Sequence, residues 1–182
     1  LIKKELSQAM EEMYHLQNCE LAMGEYYQQL AERFPPAERL FWEEAISDEV
    51  NHARMVGRII ALVSSSSNLF RPGKYRVAVL ETFLAGIYEN VELMRKGALN
   101  MQQMLKIAGD YEDSTILLRP YDIVESLDPK FQDFRKGFAE EINEHSTRMK
   151  QFLSQKLGLQ NNTAHIRLQE SNAAAARAHS QH

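Results

Sequence analysis

The 182 residues contain a single cysteine, Cys19. An internal disulfide is thereby excluded, and so is a metal knuckle built from paired cysteines of this chain. A reducing cytoplasm is the expected compartment. Basic residues are also in deficit, since 21 Lys and Arg face 25 Asp and Glu for a formal net charge of −4. With no basic cluster, the chain offers no electrostatic footprint for nucleic acid or an anionic membrane. Long apolar runs are missing as well. Nothing approaches the roughly 18 residues that would suggest a membrane span, and the stretch LIKKELSQAMEEMYH at the start is too acidic and polar for a signal peptide. Sustained apolar/polar alternation between turn residues, the mark of strands, is absent too.

What is present is the composition of one ordinary globular domain, 44% hydrophobic and 25% charged. Apolar residues recur at steps of three and four, which predicts helices throughout. A first helix is expected from about Lys4 to Arg33, ended by FPPAE, because consecutive prolines cannot continue it while one of them suits the opening turn of the next. The second spans about Ala37 to Val63 and stops at SSSSNLFRPGKYR. From Tyr75 to about Leu99 runs an amphipathic helix whose stripe is Val77, Leu80, Leu84, Ile87, Val91, Met94 and Ala98. Asn100 with Gln103 has the form of a capping box and predicts a new helix start, which Pro120 should kink or interrupt. A last helix opens near Pro129 and proceeds to Leu153, with Gly158 as its stop. The polar, alanine-rich tail, residues 159–182, has little to bury and predicts a loosely held helix or a disordered end; its His165, His179 and His182 are expected in solvent.

The chemistry lies where charge interrupts the apolar faces. Glu49 and His52 share one side of the second helix with Ala45, Ile46, Ala53 and Met55, and buried ionisable groups are unfavourable unless compensated. An antiparallel fold-back at Pro35–Pro36 sets Glu20 at the height of Glu49, 29 positions on. The same spacing recurs between Glu112 and Glu141, about a midpoint in ESLDP, and Glu141 opens a Glu-x-x-Glu with Glu144. The two halves thus show E(x28)ExxH and E(x28)ExxE at an offset of 92 residues, SDEVNH matching AEEINE. Repetition of this kind argues against coincidence. Two hairpins, each giving one carboxylate and one carboxylate-x-x-ligand pair, would place Glu20, Glu49, His52, Glu112, Glu141 and Glu144 at the centre of a four-helix bundle, where two divalent cations compensate them. Glu81 and Glu89 compete with Glu112 for the third-helix position if the amphipathic helix takes that place. His145 competes with Glu144, although in this alignment it points about 100° away. Asp48 and Glu140, each preceding a paired glutamate, could accept the free N–H of a histidine on a neighbouring helix. Tyr27, on the Glu20 side of its helix, reads most simply as core packing, with a hydrogen bond to a bridging carboxylate or a place in an electron path as the functional alternatives.

These segments, CELAMGEYYQQLAERFP with FWEEAISDEVNHA and LKIAGDYEDSTI with FAEEINEHSTRM, resemble the ferritin-like superfamily and, within it, the rubrerythrin-like di-iron proteins. The resemblance runs from about Leu6 to Leu153 and is more specific in the first half. It implies an all-α, antiparallel four-helix bundle over residues 1–158 with an additional crossover helix at about 75–99 and a C-terminal tail. It further implies a centre of two iron ions, with manganese or zinc as substitutes, that oxidises ferrous iron with oxygen or hydrogen peroxide. Glu49 and Glu141 would bridge, Glu20 and Glu112 would be terminal, and His52 and Glu144 would complete the ends; Glu20, Glu49 and Glu141 are the expected catalytic residues. A homodimer or higher oligomer follows from the same resemblance, with the stripe of residues 77–98 as its surface. The chain lacks the family's rubredoxin-like module, so an external electron donor is implied. The rival expectations are a non-catalytic bundle with a degenerate site and a module for iron storage or delivery.

Overall fold

Consecutive prolines divide the first half of the chain into two equal rods. Helix α1 spans Ile2–Ala31 and helix α2 spans Pro36–Ser65, with Pro35 as the extended cap and Pro36 in the first turn, where a missing N–H costs nothing. The structure, a computed structural model, describes residues 2–73 and 77–158. The tail 159–182, read above as a loose helix or disordered end, lies outside the described residues.

Helix α1 meets α2 antiparallel. Gln17 Nε2 donates to the Ala53 carbonyl at 2.9 Å, and nearer the turn Arg39 Nε donates to the Ala31 carbonyl at 3.2 Å. On α2 the buried positions are Trp42, Ala45, Glu49, His52, Ala53, Val56, Ile59, Ile60 and Val63, a single stripe at helical spacing. After α2 a 3-10 turn, Ser67–Leu69, leads into a short strand β1, Phe70–Pro72.

Helix α3, Val77–Arg95, returns the chain along α1 in the same direction. At its start the Cys19 thiol faces the Leu80 carbonyl, and at its end Arg33 Nη2 donates to the Met94 carbonyl. It stops short of the expected Leu99 because Gly97 takes φ +67°. The Ala98 amide then reaches the Leu93 carbonyl at 2.9 Å and the Gly97 amide that of Met94 at 3.0 Å, a glycine-dependent closure of the last turn. Leu80, Ile87, Val91 and Met94 of the amphipathic stripe are buried within the chain. That corrects their expected role: these four residues pack inside the chain and are not available as a dimer surface.

Helix α4, Met101–Leu118, opens with the expected capping box, Asn100 and Gln103 each accepting the other's backbone N–H at 2.9 Å. Pro120 interrupts it. Arg119 adopts φ +48°, a 3-10 turn follows over Pro120–Asp122, and β2, Val124–Ser126, pairs antiparallel with β1 through Phe70↔Ser126, Arg71↔Glu125 and Pro72↔Val124. Helix α5, Pro129–Lys156, is capped by Asp128, whose side chain accepts from the Lys130 amide.

Among the described residues these five helices form an all-α, ferritin-like bundle: α1, α2, α4 and α5 are its four rods and α3 is the crossover helix. A crossover is required because α2 and α4 run the same way; α3 carries the chain back along the bundle so that α4 can descend. Helices α2 and α5 are antiparallel and pinned by aromatic rings. Phe41 stacks on Phe152 with centroids 3.8 Å apart, Trp42 sits edge-on to Phe152 at 5.4 Å, and Arg58 lies over the Phe134 ring at 4.9 Å. No described helix is long and apolar enough to cross a membrane.

Candidate metal centre

Midway along the bundle the apolar core is broken by five ionisable side chains from four helices. Glu20 on α1, Glu49 and His52 on α2, Glu112 on α4 and His145 on α5 are all buried. They form two groups, Glu20/Glu49/His52 and Glu49/Glu112/His145, in each of which one donor atom per residue lies within 4.8 Å of the others. Glu49 belongs to both.

In the first group His52 Nδ1 lies 3.6 Å from Glu20 Oε2 and 3.5 Å from Glu49 Oε2. In the second, His145 Nε2 lies 3.1 Å from Glu49 Oε1 and 3.2 Å from Glu112 Oε1. The other ring nitrogen of His145, Nδ1, is 2.9 Å from Asp48 Oδ2, which also accepts from Arg148 Nη2 at 2.8 Å. An ionised Asp48 can only accept, so it holds a proton on Nδ1 and turns Nε2 towards the carboxylates of the interior. Tyr27, fully buried, donates its hydroxyl to Glu112 Oε1 at 2.5 Å. Its ring is tilted against those of Trp42 and His145.

Several of these oxygens are left wanting. Glu20 Oε2 and both carboxylate oxygens of Glu49 are buried without a hydrogen-bond partner; the 3.1 Å approach of His145 to Glu49 is close but not aligned as a hydrogen bond. Buried carboxylates without donors are strongly disfavoured. A hard or borderline divalent cation among oxygens and imidazole nitrogens removes that penalty, and this donor set is of the type such cations take. The residues present therefore fit a pair of cations sharing Glu49.

Without metal, protons perform the compensation. Burial pushes Glu20 up to about 8, helped by the Glu49 charge and opposed by His52. Burial alone would lower His52 and His145, yet facing carboxylates outweigh it: Glu20 and Glu49 raise His52 to about 10, and Asp48, Glu112 and Glu49 raise His145 to about 12. For Glu49, burial acts upwards but the two imidazoles prevail and hold it low. Burial, then the charges of Glu112 and Glu49, keeps the Tyr27 hydroxyl protonated. Burial together with the Glu20 charge raises the Cys19 thiol to about 12, so it stays a small buried hydrophobe.

The structure brings together Glu20, Glu49 and His52 of the first half of the sequence pattern, but only Glu112 of the second. Glu141 and Glu144 are exposed on α5; Glu141 accepts a 2.8 Å hydrogen bond from Asn51 at the surface. The place expected for Glu144 is taken by His145, and the place expected for Glu141 by Ile142, which is buried. The offset of 92 holds for Glu20 and Glu112 but becomes 93 for His52 and His145. The reason is the linker. The first hairpin is joined by residues 32–35 alone, whereas 119–128 hold a 3-10 turn and an extended strand, whose rise per residue exceeds that of an α-helix. Counting residues across it no longer measures height along the bundle. Glu81 and Glu89 are exposed on α3, leaving the third-helix position to Glu112. Of the two residues considered for the histidine N–H, Asp48 is so placed; Glu140 is exposed, 3.8 Å from Lys136. Arg148 was not foreseen, though its place one turn beyond His145 was the available signal.

No protein-family model matches the sequence, and neither a curated protein nor a solved structure matches it.

Proposed function

We propose that this protein is a di-iron carboxylate oxidoreductase of ferritin or rubrerythrin type. Glu49 would be the shared ligand of two metal ions, Glu20 and His52 would complete one position, and Glu112 and His145 the other. The observation that carries the reading is the position of Glu49, buried between two imidazoles with neither oxygen satisfied by a hydrogen bond. Two irons held there would supply electrons to oxygen or hydrogen peroxide.

The chain's own residues bind, orient and seal. Asp48 fixes the His145 tautomer, and Arg148 holds Asp48 in turn. The Tyr27 hydroxyl orients Glu112 through the same 2.5 Å hydrogen bond. Phe138 packs beside the His52 imidazole and Trp42 beside the Tyr27 ring, and both exclude water there. The family resemblance supports a cytoplasmic homodimer reduced by a separate donor, and manganese or zinc would suit the same donors.

A second reading has one observation in its favour. Ile142 stands where the internal repeat calls for a carboxylate, which suits a non-catalytic bundle with a degenerate site, or a storage or delivery module. Anaerobic titration with ferrous ion followed by air separates them. The oxidoreductase reading expects two equivalents bound, near-ultraviolet oxo-iron absorption, and its loss in Glu49→Ala. Purified protein without iron, manganese or zinc after growth in supplemented medium would favour the non-catalytic bundle.

A further inference from the structure

The linkers after α2 and α4 meet in the β1–β2 ribbon, and the two faces of that ribbon differ. Phe70, Val124 and Ser126 turn inward, Phe70 edge-on to Phe131 with ring centroids 5.0 Å apart. By the alternation of a strand, Arg71 and Glu125 turn outward, directly opposite each other in the ladder. Leu69 and Leu127, just beyond the Phe70–Ser126 pair, are 52% and 89% exposed. All four line one open hollow of about 1030 Å³, together with Asn68, Gln132 and Arg135.

A lone exposed leucine is ordinary on a protein surface. Leu127 differs in being held rigidly. The Ser126 carbonyl before it accepts from Gln132 Nε2 at 2.7 Å, the Asp128 amide after it donates to Ser126 Oγ at 3.2 Å, and the Asp128 side chain caps α5. With the backbone fixed on both sides, covering the side chain costs little further ordering. The outward charges are unspent as well. Asp122 is engaged by Arg119 and Arg135, whereas Arg71 and Glu125 form no ion pair among the described residues, although they are cross-strand neighbours.

Such a face is its own complement. A two-fold axis lying between the strands and parallel to them stacks β1 of one copy on β2 of the other, so that Arg71 faces Glu125 and Leu69 faces Leu127, each contact made twice. We propose that this outer face of the ribbon is the contact between two copies of the chain. It rests on the homodimer reading above and not on the metal. The face is small beside the roughly 20–30 residues a side of a tight interface, so association depends on concentration.

Sedimentation equilibrium of the full chain between about 1 µM and 1 mM, with and without zinc, measures it. The wild type should dimerise reversibly and equally in both conditions. Leu127→Asp should weaken the dimer by about thirtyfold or more, and Arg71→Glu and Glu125→Arg each by about tenfold or more. Each charge reversal alone sets like charges against one another. An equimolar mixture of the two variants sets opposite charges at both contacts and should dimerise as the wild type does, a rescue that loosening of the ribbon within one chain would not give. A monomeric wild type overturns the inference and the homodimer reading together, leaving the hollow to a different partner. A dimer that survives Leu127→Asp, or a mixture that fails to associate, overturns the inference alone and places the homodimer contact elsewhere. Should Leu127→Asp fail to fold, the mixture decides.

Discussion

His145 on α5 and Asp48 on α2 are 97 positions apart in sequence and 2.9 Å apart between Nδ1 and Oδ2. The pair commits one imidazole nitrogen to a carboxylate at the edge of the bundle and leaves the other for the interior. Replacing Asp48 by Ala should therefore weaken metal binding at the Glu49/Glu112/His145 position by about 10- to 100-fold while the Glu20/Glu49/His52 position keeps its affinity. Competition against a chelator of known affinity, resolving the two equivalents, is the measurement. Equal weakening of both would contradict the assignment of Asp48 to His145 alone.

The register of α5 is open to a direct check. Glu141→Ala and Glu144→Ala remove exposed side chains and should change stability by no more than about 0.5 kcal/mol, with both metal equivalents retained. His145→Ala should lose one equivalent. Retention in His145→Ala with loss in Glu144→Ala would restore the register counted from sequence.

Metal loading should release protons. At neutral pH the raised values of Glu20, His52 and His145 keep all three protonated, and ligation requires their deprotonated forms. About three protons should leave as two divalent ions bind, so affinity rises with pH. Calorimetry in buffers of different ionisation enthalpy counts them. A release of none would mean that the groups are already deprotonated in the apo protein.

The same groups set the pH dependence of apo stability. His52 and His145 are raised above the unfolded value of 6.5, so what they contribute is complete below it and lost as pH climbs towards about 10 and 12. Glu20, raised from 4.5 to about 8, acts in the same direction across that interval. Glu49 acts oppositely, but its lowered value confines the effect to acid. The apo melting temperature should fall from pH 6.5 to 9.5, and saturating zinc should abolish the fall. A flat apo profile would count against the proton-compensated cluster.

Tyr27→Phe deletes one buried donor at Glu112 Oε1. Stability in urea should drop by about 1–2 kcal/mol with zinc stoichiometry unchanged. Loss of a zinc equivalent would instead give the hydroxyl a part in forming the site.

Much of the fold was written in local signals: the two prolines that separate α1 from α2, the Asn100–Gln103 box that starts α4, and Pro120, which ends it. The first hairpin's site was legible too, because a four-residue turn between continuous helices turns sequence spacing into height. Glu20, Glu49 and His52 follow from it directly. Across residues 119–128 that conversion fails, and the register of α5 was decided by side chains remote in sequence. Phe152 against Phe41, and seven residues away on each helix His145 against Asp48, draw α5 to the depth at which Ile142 and His145 face inward and Glu141 and Glu144 face water. The amphipathic stripe of α3 showed that a face would be covered, but only packing against α1 determined by what. Periodicity and capping act within a few residues and are carried by the sequence itself, whereas depth and partner choice come from the best mutual fit of whole helices.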